Sequence, residues 1–288
     1  MADYGLPENP FDFENWDWLW EDEVKCDYMI LKVISRGSFG VVYEARDMRT
    51  KEIVALKEEL YGITRSTIME VDILEALPRH PNIVEFKKPF AADGRLFVAM
   101  EYVESDLRKL REQMGTPFPL KLIKTLIFEI LKGLAFLHEN GVMHRDLKPA
   151  NVLYGGEGRI KICDFGLAAY VGAPWGRGVG TRIYKAPETL FEWEGCAGEV
   201  DIWSVGCMMA QFVMDAPLFN GRSDEHQLQC IQRVLHGRTN PIRLIMSIFG
   251  ETRLSESGLN LLERLLAYYP CDRISARDAL DHPWFTEN

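Results

Sequence analysis

The chain has no surplus of basic charge, no closely paired cysteines and no apolar run long enough to cross a bilayer, and each absence removes a class of function. Across 288 residues, 33 Lys and Arg face 43 Asp and Glu, a formal net charge of −10. Nothing supplies the basic face that neutralising a phosphate backbone requires, so no nucleic-acid partner is expected. The six cysteines, Cys26, Cys163, Cys196, Cys207, Cys230 and Cys271, include no Cys-x-x-Cys pair. A chain of this size builds a core without disulfides, so they read as reduced thiols. The N-terminus is acidic and does not open on a basic stretch followed by an apolar core. The longest apolar-rich run, Ile202 to Met214, is too short to span a membrane. No membrane partner is expected, and the expected compartment is the cytoplasm or nucleus. Repeats and low-complexity tracts are missing as well.

What is present is enough apolar material, 47% of residues, for one large domain or two lobes. The acidity is concentrated at the start: residues 1–25 hold eight acids and one lysine. Residues 1–27 interleave the acids with Phe11, Phe13, Trp16, Trp18 and Trp20, and the tryptophans recur at every second position, which in an extended segment puts them on one face. Such an extension either packs its aromatics on the adjacent lobe or serves as a docking segment for a partner. From Tyr28 to Val103, β-branched runs break at Gly37, Gly40 and Gly94, with one amphipathic helical pattern from Thr64 to Leu77. After Val103 helical patterns dominate: Leu120–Glu139, Val200–Met214, Glu225–His236 and Gly258–Ala267.

Between the first two of these lies the stretch that carries chemistry. His144-Arg145-Asp146-Leu147-Lys148-Pro149-Ala150-Asn151, followed by Asp164-Phe165-Gly166, sets three polar roles side by side. Phosphoryl transfer needs an acceptor hydroxyl aligned near a carboxylate, and it needs metal ions and a cation to neutralise the moving charge. Asp146 suits the carboxylate and Lys148 the cation. Asn151 and Asp164 suit magnesium, a hard cation that takes few protein oxygens alongside phosphates and water.

These two stretches resemble the catalytic and metal-binding loops of eukaryotic protein kinases, and Ala186-Pro187-Glu188 is similar to the end of their activation segment. Lys148 together with Thr181 matches the serine/threonine branch. The resemblance implies an α+β, bilobal protein kinase fold: an antiparallel β N-lobe with one main helix, about 28–103, and a mostly α-helical C-lobe, about 104–285. It also implies ATP and Mg²⁺ as cofactors and protein substrates. Ile34 to Val42 is similar to the glycine-rich loop, with Gly37 and Gly40 kept and Ser35 in place of the family's first glycine. Val54-Ala55-Leu56-Lys57 resembles the strand whose lysine holds the phosphates, and Glu70 sits where its partner glutamate belongs. Ile34, Val42, Ala55, Met100 and Leu153 would line the adenine slot, with the backbone of Glu101 to Val103 offering hydrogen bonds. The alternative function is a pseudokinase or scaffold that binds nucleotide or partners without turnover. Ser35 is the active-site departure that favours it.

Ser66-Thr67-Ile68-Met69-Glu70, Glu104-Ser105-Asp106-Leu107 and Ala216-Pro217-Leu218-Phe219-Asn220-Gly221 resemble the cyclin-dependent kinases. Asp201, Trp203 and Gly206 match a buried helix anchoring the catalytic loop, and Arg273 matches the arginine that pairs with Glu188. The departures carry expectations too. Lys57 and Glu70 are only 13 positions apart, which shortens the loop before the cyclin-contacting helix; whether the partner is a cyclin-like or another activating protein stays open. Gly180 and Lys185 replace a non-glycine residue and an arginine of proline-directed relatives, so weak proline preference is expected. Between Gly166 and Thr181 there is no Ser or Thr, Leu167 to Gly180 holds no Asp or Glu, and Met69 and Ala169 replace two of three phosphate-gripping arginines. Activity independent of activation-loop phosphorylation is therefore expected, with Pro174 and Trp175 available to pack the loop.

Overall fold

The computed structural model describes residues 27–37, 40–92, 94–173, 179–191, 197–235 and 254–287. The aromatic extension over residues 1–26, the tip of the glycine-rich loop at 38–39, and Pro174 and Trp175 lie outside them. The chain divides into two compact units, Met1–Ala76 with Glu85–Tyr102 and Leu77–Val84 with Val103–Asn288.

Among the described residues, the N-terminal unit is an antiparallel sheet with one helix. Its strands are β1 (Tyr28–Arg36), β2 (Gly40–Asp47) and β3 (Ile53–Glu59), then helix α1 (Arg65–Ala76), then β4 (Phe86–Ala92) and β5 (Arg95–Glu101), in sheet order β1-β2-β3-β5-β4. The alternation of β3 decides which residue faces where. Val54 and Leu56 join Ala45, Phe90, Phe97 and Ala99 in a buried cluster on one face. Ala55 and Lys57 therefore take the other face, opposite Met100 and Val42 respectively. Helix α1 opens at Thr64, whose Oγ1 accepts from the Thr67 amide at 3.2 Å. It buries Thr67, Ile68, Glu70, Val71, Ile73 and Leu74, a stripe at helical spacing that includes one carboxylate.

The C-terminal unit begins with strand β6 (Ser105–Asp106), helix α2 (Leu107–Met114), the 20-residue helix α3 (Leu120–Glu139) and strand β7 (Val142–Met143). Strands β8 (Val152–Tyr154), β9 (Ile160–Ile162) and β10 (Ala169–Tyr170) follow, then helices α4 (Pro187–Leu190), α5 (Glu199–Met214), α6 (Asp224–Leu235), α7 (Glu256–Leu265) and α8 (Ala276–Leu280). Helix α3 presents Ile123, Leu126, Ile127, Ile130, Leu131, Leu134 and Leu137 at zero exposure. Each contributes about 1.5–3 kcal/mol of burial. Helix α5 is buried almost all round, from Val200 to Val213, so it is the central helix of this unit and packs on α3 and α7. Sequence periodicity placed α1, α3, α5, α6 and α7 within two residues of these bounds. It did not register α2, whose sequence is mostly polar, or the short helices α4 and α8. Among the described residues no helix is long and apolar enough to cross a membrane, and Cys163, Cys207, Cys230 and Cys271 are free thiols.

Two small sheets hold the segment that carries the candidate chemistry. Residues 144–151 connect β7 to β8; β8 pairs with β6 and β9, and β7 pairs with β10. Asp164 follows β9 directly. The stretch from His144 to Gly166 is thus pinned at its start, middle and end by backbone ladders.

Candidate active site

Asp146 is the hub of the catalytic loop. It is 7% exposed. Its Oδ1 accepts from the Thr181 amide at 2.8 Å and from Thr181 Oγ1 at 2.7 Å, while its Oδ2 lies 2.6 Å from Lys148 Nζ. Lys148 also donates to Thr181 Oγ1 at 3.1 Å. The Asn151 amide nitrogen donates to the Asp146 carbonyl at 2.9 Å and to its Oδ2 at 3.2 Å. Those two bonds engage the amide nitrogen and so distinguish it from Oδ1, the side chain's acceptor atom. Asp146, Lys148, Asn151 and Thr181 are therefore brought together in one network within the C-terminal unit.

The loop keeps this shape because helix α5 holds it. Asp201 is fully buried, and its carboxylate accepts from the amides of His144 at 2.9 Å and Arg145 at 2.7 Å and faces His138 Nε2 at 3.1 Å. Desolvation alone would raise the Asp201 pKa, but the hydrogen bonds from His138 and the loop hold it below the ordinary value. Arg145 and Asp164 both sit at φ 65°, a conformation costing a non-glycine residue about 1–3 kcal/mol. At Arg145 the two loop amides bonded to Asp201 offset that cost. His144 is fully buried between the Cys163 carbonyl, 2.9 Å from its Nε2, and the Asp146 amide, which donates to its Nδ1 at 3.2 Å. Its ring also packs edge-on against Phe165, so the loop is in direct contact with the turn that carries Asp164.

In the N-terminal unit, Lys57 Nζ lies 2.5 Å from Glu70 Oε2 and 3.1 Å from Glu59 Oε1, all three buried. Glu59 was not anticipated. The signal was available, since residues two apart on a strand share a face. Thr67 Oγ1 donates to Glu59 Oε2 at 3.2 Å, tying α1 to β3. Val42, Ala55 and Met100 share the face of Lys57, and Ile34 lies in β1 next to the irregularity between Val33 and Ser35. The Glu101 amide is already committed to the Glu85 carbonyl at 2.9 Å, so it cannot serve a ligand. Leu153 and Val103 belong to the C-terminal unit. Ser35 pairs with Val42 in the ladder and is not among the residues with positive φ, so it occupies the strand end without strain. Gly40 is required for another reason: a Cβ there would lie 2.3 Å from the Glu58 carbonyl oxygen of the neighbouring strand. Gly37, whose amide donates to the Gly40 carbonyl at 2.9 Å, has no such crowding.

Beyond Thr181 the segment is clamped. Glu188 and Arg273 have fully buried side chains and form a two-pronged pair, with Arg273 Nη2 at 2.7 Å from Glu188 Oε2. Arg273 Nε also donates to the Ala267 carbonyl at 2.8 Å, and its guanidinium lies over Trp203. Gly180 has φ 95° and passes against the Arg145 carbonyl. Lys185 is bonded to Asp224 Oδ2 at 3.1 Å. Asp224 was not singled out from sequence, because a lone acid at a helix start is an ordinary charge stabiliser.

Comparison with known proteins agrees with this geometry. The model for the protein kinase domain matches residues 28–285. Cyclin-dependent kinase G-1 of Oryza sativa subsp. indica is 39% identical, over 89% of this chain and 42% of its own length. Cyclin-dependent kinase G1 of Arabidopsis thaliana is 37% identical over 91% of this chain and 49% of its own. Cyclin-dependent kinase 11 of Dictyostelium discoideum is 38% identical over 90% of this chain and 80% of its own. The chain thus spans less than half the length of the plant relatives. It belongs to the protein kinase family, as a serine/threonine kinase domain of the cyclin-dependent kinase type.

Proposed function

We propose that the chain transfers the γ-phosphoryl group of ATP to a serine or threonine hydroxyl of a protein substrate, with residues 28–285 as the kinase domain and 1–27 as an extension appended to it. The observation that carries this is the closed network of Asp146, Lys148, Asn151 and Thr181. Thr181 Oγ1 already places a hydroxyl 2.7 Å from Asp146 Oδ1, within the reach a carboxylate needs to orient an attacking hydroxyl. Lys148 is placed to offset negative charge moving onto that hydroxyl's partner group. Kinases of this family use ATP and Mg²⁺. The donor set fits the ion: Asn151 Oδ1, oriented by its own amide hydrogens, and the Asp164 carboxylate are hard oxygens of the kind magnesium takes. When bound, the ion supplies neutralisation for the phosphate oxygens. Lys57, fixed by Glu70, would hold the non-transferred phosphates.

The Lys57–Glu70 pair forms within the N-terminal unit itself. The scaffold alternative loses its footing because Ser35 sits unstrained in the ladder. The test is transfer of radiolabelled phosphate from ATP to a serine/threonine peptide panel by the wild type, Asp146→Asn and Asp164→Asn. We expect transfer by the wild type and a loss of at least 100-fold in either variant. Equal, background transfer by all three while ATP still binds would overturn the reading.

A further inference from the structure

Next to the acceptor position lies a charged cluster that the transfer chemistry does not use. Thr181 touches Asp146 and Lys148, and Arg182 follows it one Cα step, ~3.8 Å, further along the segment. The segment there turns through the 3-10 turn Arg182–Tyr184, which places Arg182 outward and Lys185 inward. Both converge on Asp224, the first residue of α6: Arg182 Nε lies 2.9 Å from Oδ1 and Lys185 Nζ lies 3.1 Å from Oδ2. Arg182 Nη1 donates to the Arg222 carbonyl at 3.3 Å. Two cations thus meet at one carboxylate. The cluster is open to solvent through Arg182, whose side chain is 45% exposed, whereas Lys185 is only 7% exposed. Two of the three guanidinium nitrogens are already engaged, so the group is held in place, and Nη2 remains for an incoming acceptor.

We propose that Arg182, positioned by Asp224, is a specificity residue that selects an acidic side chain adjacent to the phosphoacceptor. This rests on the kinase reading above and names the substrate class it takes. A proline at that point has nothing to offer the exposed donor. A carboxylate gains a charge-assisted hydrogen bond without displacing Asp224.

The test uses the full chain and peptides that differ only in the residue on either side of one serine: Asp, Ala, Pro or Arg. Binding is followed by fluorescence anisotropy with inactive nucleotide, and transfer by steady-state kinetics. We expect Asp on one flank to be favoured over Ala by about three- to tenfold in both readouts, the range of a partly exposed charge-assisted pair. Arg182→Ala should abolish the preference while transfer to the Ala-flanked peptide stays near wild type, and Arg182→Glu should invert it toward Arg. Absence of acid preference in binding, or its survival in Arg182→Ala, overturns the proposal. Selective binding without any transfer would leave the acid subsite standing and overturn the activity reading instead.

Discussion

Replacing Gly180 by alanine should disable the enzyme through backbone geometry alone. Gly180 has φ 95°, and a Cβ built there would lie 2.6 Å from the Arg145 carbonyl oxygen. The neighbour is main chain and cannot swing aside. Arg145 is itself held at positive φ, with its amide 2.7 Å from Asp201 Oδ1. An L-residue in this conformation costs about 1–3 kcal/mol, and relieving the overlap by moving backbone costs about another 1–3 kcal/mol. If the loop yields, Asp146 moves; if the segment yields, Thr181 leaves Asp146. Either way about 2–6 kcal/mol acts against the arranged site, and at about 1.4 kcal/mol per decade that is a loss of at least about 30-fold in kcat/KM for peptide. The KM for ATP should change little, since Lys57 and Glu70 belong to the other unit. Steady-state peptide phosphorylation at saturating ATP, with a thermal melt to show that the variant is folded, measures this. A folded Gly180→Ala enzyme within threefold of wild type would refute the reasoning.

Three further outcomes follow from the same contacts. Phosphatase treatment of active enzyme with site mapping should leave activity unchanged within error, because Leu167 to Gly180 carries no Ser, Thr, Asp or Glu; a collapse of activity as phosphate leaves this stretch would be the opposite result. Arg273→Met should lower the urea-derived unfolding free energy by about 3–5 kcal/mol, since it strands the fully buried Glu188 carboxylate, and a change below about 1 kcal/mol would count against the pair. Because the Asp201 pKa is depressed in the fold from its ordinary 3.8, its contribution is complete above that value and is lost as pH falls through the folded one. Urea midpoints should therefore drop below about pH 4, and Asp201→Asn should flatten that slope while lowering stability at neutral pH.

The helices were legible because their apolar spacing is long and regular, as in α3. The grouping of Asp146, Lys148 and Asn151 was legible because one short stretch, 144–151, holds all three. What escaped the sequence lies in tertiary geometry. Glu59 joins the Lys57 pair only because β3 alternates and α1 packs Glu70 against the same face. Asp224 matters only because α6 brings its first residue to the turn after Thr181. The two-residue spacing of Lys57 and Glu59 puts them on one face, whereas no spacing marks the approach of Asp224 to Arg182 and Lys185. The bond from the Glu101 amide to Glu85, a residue in the stretch leading into β4, is likewise a tertiary contact without a sequence signal.

The activation segment carries contacts that its sequence does not announce. With Met69 and Ala169 at two of the three places, Arg145 is the arginine that the resemblance leaves. In the structure Arg145 has other work. Its amide bonds Asp201, its Nε donates to the Leu167 carbonyl at 2.6 Å, and its own carbonyl is the surface that Gly180 passes. One residue therefore meets both ends of the segment from 167 to 180. Strand β10 adds a second tether through its ladder to β7, extended by the Val171 amide on the Gly141 carbonyl at 2.8 Å. Closing a loop of this length costs less when both ends are already fixed. Both tethers end on main-chain atoms and hold the described ends of the segment whatever residue stands at the phosphate position.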